Sequence, residues 1–161
     1  MVSTKHLICR PITNDDLQQL AVVYMRVFED PELNEHWTEE SAHALLADWY
    51  KRQPDLALAA ACDDRLVGGF VVGIRPWWDG NHLVDGELFV DPEYQGRGIG
   101  RELVRQTLKT AVQRYSPVVW ESYTFHGQEF PLSWYKRLGF REIQEWVMIR
   151  ADVAELITRL G

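Results

Sequence analysis

The chain has 161 residues, 46% apolar and 25% charged, a size that suits one compact domain with a full core. Its 17 basic and 24 acidic residues leave a formal charge of −7. No cluster of Lys and Arg stands out, which disfavours a nucleic-acid binder, since phosphate contacts need one.

No apolar run approaches the roughly 20 residues that cross a bilayer, and the opening residues lack the long apolar stretch of a secretory signal. A single soluble, cytoplasmic domain over 1–161 is expected, with no membrane or nucleic-acid partner. Cys9 and Cys62 are too few and too isolated for a disulfide scaffold or a zinc site and read as buried thiols.

Weak alternation over 6–12 predicts a first strand. Thr13 and Asp16 have capping-box spacing, ahead of Leu17, Leu20, Ala21, Tyr24 and Phe28 at helical intervals. An acidic loop over 29–37 leads to Thr38, the predicted cap of a second helix with Ala42, Leu45, Leu46 and Trp49 on one face. Strands are predicted over 56–62 and 66–74, around the hairpin signal Asp63-Asp64. A turn-rich loop over 76–81 follows, then a strand over 82–90. A helix with Leu103, Val104, Leu108, Ala111 and Val112 inward comes next. The remainder reads as a strand over 118–124, a short helix over 131–138, a strand over 142–150 and an amphipathic helix over 152–160. The order β-α-α-β-β-β-α-β-α-β-α defines a mixed α/β (α+β) domain with a mostly antiparallel central sheet flanked by helices. The last helix carries Val153, Leu156, Ile157 and Leu160 on one face, as an intramolecular cover or a homodimer contact would.

The chemistry concentrates between Glu87 and Arg101, where a strand runs through Gly96-Arg97-Gly98-Ile99-Gly100 into a helix. A glycine-bearing turn at a helix N-terminus aims N–H groups and the positive helix end at one point, a ready phosphate site. Arg97 and Arg101 add charge at the same mouth. The glycine spacing is neither the dinucleotide fingerprint nor a P-loop.

Gln95-Gly96-Arg97-Gly98-Ile99-Gly100, preceded by Phe-Val-Asp-Pro-Glu-Tyr and followed by a long helix, resembles the Q/R-x-x-G-x-G/A signature of the GNAT N-acetyltransferase superfamily. Trp134-Tyr135-Lys136-Arg137-Leu138-Gly139-Phe140 resembles that family's late tyrosine and Gly-Phe element. The resemblance implies a GNAT-like fold and acetyl-CoA as co-substrate, without a metal. It also implies pyrophosphate held by Gln95, Gly96, Arg97, Gly98, Ile99, Gly100 and Arg101. Leu88, Phe89 and Val90 would offer backbone groups to the acyl and pantetheine arm. Gln128 stands seven residues before Tyr135, where many members carry an asparagine that touches pantetheine; glutamine makes similar hydrogen bonds with a longer reach. Tyr135 would be the general acid for the leaving thiolate.

For the base, Glu87 on the strand before the loop and Glu121 among aromatics on the next strand are both candidates, with Asp85 third. His36, His43, His82 and His126 lack metal-ligand spacing and read as surface or loop residues, with His126 a pocket-lining candidate. The acceptor regions of the family correspond here to Glu29, Asp30, Glu32, Glu35, Asp79, Asp85, Glu121 and Glu129, interleaved with Trp37, Trp77, Trp78 and Trp120. Acid plus aromatic suits a small cationic amine, aminoglycoside- or polyamine-like. The alternatives are a protein or peptide amine, or a catalytically silent acyl-CoA-binding regulatory module.

Overall fold

Asp63 and Asp64 adopt left-handed backbone angles, φ 48° and 64°, the geometry of a two-residue turn whose twist matches its flanking strands. Strands β2 (Leu58–Cys62) and β3 (Arg65–Trp77) therefore pair antiparallel. A second two-residue turn, Trp78-Asp79, joins β3 to β4 (Gly80–Val90), with Trp77 opposite Gly80. The segment 76–81 is thus the end of a long hairpin rather than the expected loop; ladder pairing overrides its turn-prone composition.

The computed structural model describes residues 6–29, 35–125 and 129–161. They form two compact units, Met1–Tyr123 and Thr124–Gly161.

The first unit is built on a five-stranded sheet in the order β1-β2-β3-β4-β5. Its edges are β1 (Leu7–Pro11), antiparallel to β2, and β5 (Val119–Glu121), parallel to β4. Helices α1 (Leu17–Phe28) and α2 (Glu39–Arg52) pack on the face that carries Val71 and Phe89. Helix α3 (Ile99–Tyr115) packs where Leu88 and Val90 point, with Leu103, Val104 and Ala111 buried and Val112 exposed rather than inward. Both capping expectations hold. Thr13 donates its N–H and hydroxyl to the Asp16 carboxylate, which Arg10 also grips bidentately at 2.7 and 2.8 Å. Thr38 and Ser41 exchange hydrogen bonds at the start of α2. Cys62 is buried and Cys9 half-buried, and burial pushes both thiols up.

The second unit holds α4 (Leu132–Arg137) and α5 (Val153–Leu160). Helix α4 ends because Gly139 takes φ +99°. Its N–H bonds the Lys136 carbonyl at 3.0 Å, and the Phe140 N–H reaches back to the Tyr135 carbonyl at 3.1 Å. This double closure of a helix C-terminus explains the Leu-Gly-Phe sequence there. The strand expected over 142–150 does not form. Alternation makes a strand only beside a second one, and the described residues of this unit contain none. Asp152 caps α5 by accepting from Glu155 N–H at 3.0 Å, as its helical pattern predicts.

Candidate active site

The end of β4 and the start of α3 form a braced loop. Asp91 is fully buried; its carboxylate accepts from the Glu93 N–H at 3.0 Å and binds Arg26 of α1 at 2.8 Å, with Arg65 at 3.6 Å. Its own N–H bonds the Val67 carbonyl at 2.8 Å. The Gln95 side chain donates to the Val90 carbonyl at 2.9 Å, and Arg97 donates to the Glu93 carbonyl at 2.8 Å while lying over the Tyr94 ring. The Gln95 and Arg97 side chains thus fasten the loop to itself.

Gly96 and Gly98 take φ +72° and +82°, and a Cβ on either would meet nothing within 4 Å. The positive φ favours glycine, and the open space lies directly over the helix start. The Glu102 N–H bonds the Gly98 carbonyl at 3.0 Å, so the Ile99, Gly100 and Arg101 amides belong to the first turn, whose N–H groups face outward. Ile99 is buried and Arg101 exposed at the mouth. Outward N–H groups at a helix start favour an anionic group.

Upstream, β4 is distorted. Val71 pairs with Glu87 and Gly73 with Val84, so Asp85 and Gly86 together oppose Val72. This is a bulge, with φ 50° at Asp85 and 96° at Gly86. It sets the aim of Glu87, whose Oε2 accepts from the Tyr24 hydroxyl of α1 at 3.0 Å. Burial raises the Glu87 carboxyl to about 7; the Tyr24 hydrogen bond opposes that rise, while Glu35 and Asp85 add to it. A carboxyl poised near neutral pH is what proton abstraction from an amine needs. Burial likewise pushes Asp85 up.

Glu121, the other base candidate, is held differently. Its Oε2 binds the Arg75 guanidinium at 2.5 Å and His82 Nδ1 at 3.0 Å, while His82 Nε2 meets Asp79 at 2.8 Å. His82 is buried rather than a surface or loop residue. The Glu121 hydrogen bond, aided by Asp79, raises its pKa. Trp77 lies over Arg75 at 4.8 Å, and Trp78 is 87% exposed at the hairpin tip.

Tyr135, in the second unit, is half-buried between Trp134 and Phe140, each ring edge-on at 5.1 Å. Gln128, His126, Asp30 and Glu32 lie outside the described residues. Among the described residues there is no cluster of His, Cys, Asp and Glu able to hold a metal, and no helix long and apolar enough to cross a membrane. Sequence reasoning missed Tyr24, read only as part of a helix face, and the Arg75–His82 pair. The signal for the bulge was the Asp85-Gly86 dipeptide inside a strand pattern.

The described residues thus form a mixed sheet whose bulged fourth strand carries a buried carboxyl and then feeds a glycine-lined helix start. The chain belongs to the acetyltransferase (GNAT) family, whose pattern matches residues 17–140. It is 28% identical over 142 residues to an uncharacterized N-acetyltransferase of Methanocaldococcus jannaschii, covering 83% of this chain and 60% of that protein. It is 34% identical over 108 residues to the mycothiol acetyltransferase of Clavibacter sepedonicus, covering 67% of this chain and 33% of that protein. The chain therefore spans less than two thirds of the length of either curated relative. Its fold is shared with the PaiA N-acetyltransferase of Thermoplasma acidophilum in complex with coenzyme A, at a TM-score of 0.71 and 22% identity over 84% of this chain and 90% of that one.

Proposed function

We propose that the protein transfers the acetyl group of acetyl-CoA directly to the primary amine of a small cationic acceptor, as a single domain over 1–161. When bound, acetyl-CoA supplies the acetyl group as a thioester. The first turn of α3, with Gly96, Gly98 and Arg101, would hold the pyrophosphate. The backbone of Leu88, Phe89 and Val90 would face the pantetheine arm, with Gln128 as a further contact. The amine nitrogen forms an amide bond as the donor's C–S bond breaks. Glu87 takes the proton that the amine loses, and Tyr135 supplies one to the thiolate.

Glu87 carries this reading: burial lifts it to about 7, and among the described residues its carboxylate is free of any ion pair, whereas Glu121 is clamped between Arg75 and His82. Glu35 and Asp85 act on Glu87 through space, so the base lies in a negative field that draws a cation.

Thiol release from acetyl-CoA against aminoglycosides, polyamines, amino acids, arylamines and short peptides tests the proposal. Release confined to cationic small amines, and lost in Glu87→Gln and Tyr135→Phe, is expected. Release with peptides alone would replace the acceptor class, and acetyl-CoA binding without release to any amine would leave a silent binding module.

A further inference from the structure

Tyr24 sits on the third turn of α1, far from the glycine loop in sequence, and is 2% exposed. Three aromatic rings fix its orientation: Phe28 at 4.5 Å, Trp37 edge-on at 5.1 Å and Phe89 edge-on at 5.3 Å. A phenol in such a cage keeps its ring packed but must still find a partner for its hydroxyl. Here that partner is the Glu87 carboxylate, 3.0 Å away. Phe89, two residues beyond Glu87 on β4, belongs to the same cage, so the strand that presents the carboxylate and the ring that receives it are packed together. Trp37 is itself held by donating its indole N–H to Glu35 at 2.8 Å.

We propose that Tyr24 is a positioning residue for the acetyl transfer, its caged hydroxyl holding one oxygen of Glu87 in place so that the other is left for the acceptor amine. This inference rests on the reading of Glu87 as the base. A carboxylate has two oxygens and about four acceptor positions, so one fixed donor restricts its rotation without consuming its capacity as a base. The same bond offsets burial. Desolvation, Glu35 from the segment before α2, and Asp85 from β4 itself all favour the protonated carboxyl, and the Tyr24 hydroxyl opposes them. The phenol does not ionise in the process, because burial and the adjacent carboxylate push its own proton loss far above the usual tyrosine range. It is a donor at every working pH.

The test uses the full chain labelled with δ-carbon-13 glutamate, in which the Glu87 carboxyl resonance is assigned by its loss in Glu87→Gln. Tyr24→Phe retains the ring and its cage and removes the hydroxyl alone. The Glu87 resonance should titrate about one pH unit higher in Tyr24→Phe than in the wild type, the size expected when one hydrogen bond to an ionised group is lost. The acid limb of kcat/KM should move by the same amount, giving about a fivefold loss at pH 7 that recovers in more alkaline buffer. A resonance that titrates unchanged in Tyr24→Phe overturns the proposal. So does an unmoved acid limb in a protein whose Glu87→Gln variant is inactive, and there the base reading survives. Full turnover in Glu87→Gln removes the base reading itself, and with it any role of Tyr24 in the reaction.

Discussion

A side chain on Gly86 would run into the backbone carbonyl oxygen of Val71 across the sheet. That approach exists because Asp85 and Gly86 share one position opposite β3, and it rotates the strand so that Glu87 meets Tyr24. Gly86→Ala adds a Cβ both against that carbonyl and at φ +96°. Unfolding by urea should show a loss of about 2–4 kcal/mol, more than the roughly 1 kcal/mol for left-handed strain alone. Gly96→Ala, strained in φ but facing open space, provides the comparison and should lose only the smaller amount.

The glycine turn between β4 and α3 could be read from the chain because its signal is local. Alternating glycines between a strand and a helix encode backbone angles and open space within six residues. The short helix ahead of Gly139 was legible for the same reason, since its residues are consecutive. The Tyr24–Glu87 contact joins positions 63 apart, and it depends on a bulge that shifts which face a residue takes. His82 was misread because its burial comes from Asp79, Glu121 and Trp77, two of them on other strands. The hairpin tip looked like a loop since Pro, Gly, Asn and Asp dominate its composition, whereas cross-strand pairing carries the ladder to Trp77 and Gly80. Over 142–150 the error ran the other way: an apolar pattern suggested a strand, and among the described residues of its own unit no strand pairs with it.

Gly98→Asp should separate folding from cofactor binding. A Cβ there meets nothing within 4 Å, so the folded state loses about 1–2 kcal/mol from the left-handed angle alone. A carboxylate over the first turn of α3 would itself satisfy the helix end and repel a diphosphate. Titration calorimetry should show acetyl-CoA affinity falling at least a hundredfold while the melting temperature moves by only a few degrees. Retained affinity would mean that the pyrophosphate binds elsewhere.

Asp91 joins the folding of α1 to the shape of the same loop. Its buried carboxylate holds Arg26 and the Glu93 N–H together. Asp91→Asn keeps the size and removes the charge, leaving Arg26 facing a neutral group in a partly buried setting. A loss of about 2–3 kcal/mol in urea unfolding is expected, together with weaker acetyl-CoA binding, since the turn at Pro92–Tyr94 starts from this carboxylate. Unchanged stability would show that the pair contributes no more than an exposed one.

Glu87 and His82 give the pH dependence of stability two separable windows. The Glu87 carboxyl is raised from 4.5 to about 7 by burial, so between those values the folded chain holds a proton that the unfolded chain has released. Stability must therefore fall as pH rises through that window, by an upper bound of about 3 kcal/mol, and Glu87→Gln should abolish that fall. His82 is raised above 6.5 by Glu121 and Asp79. Its protonated bridge is fully present below 6.5 and is lost as pH rises through the folded value, so His82→Gln should remove a decline that starts near 6.5, inside the upper end of the Glu87 window. Melting temperatures from pH 4.5 to 9 for the wild type and both variants, read as differences, test this. A wild-type-minus-Glu87→Gln curve that is flat from 4.5 to 7 would show that the carboxyl is ionised in the fold at ordinary pH, and Glu87 would then be no better poised as a base than any exposed glutamate.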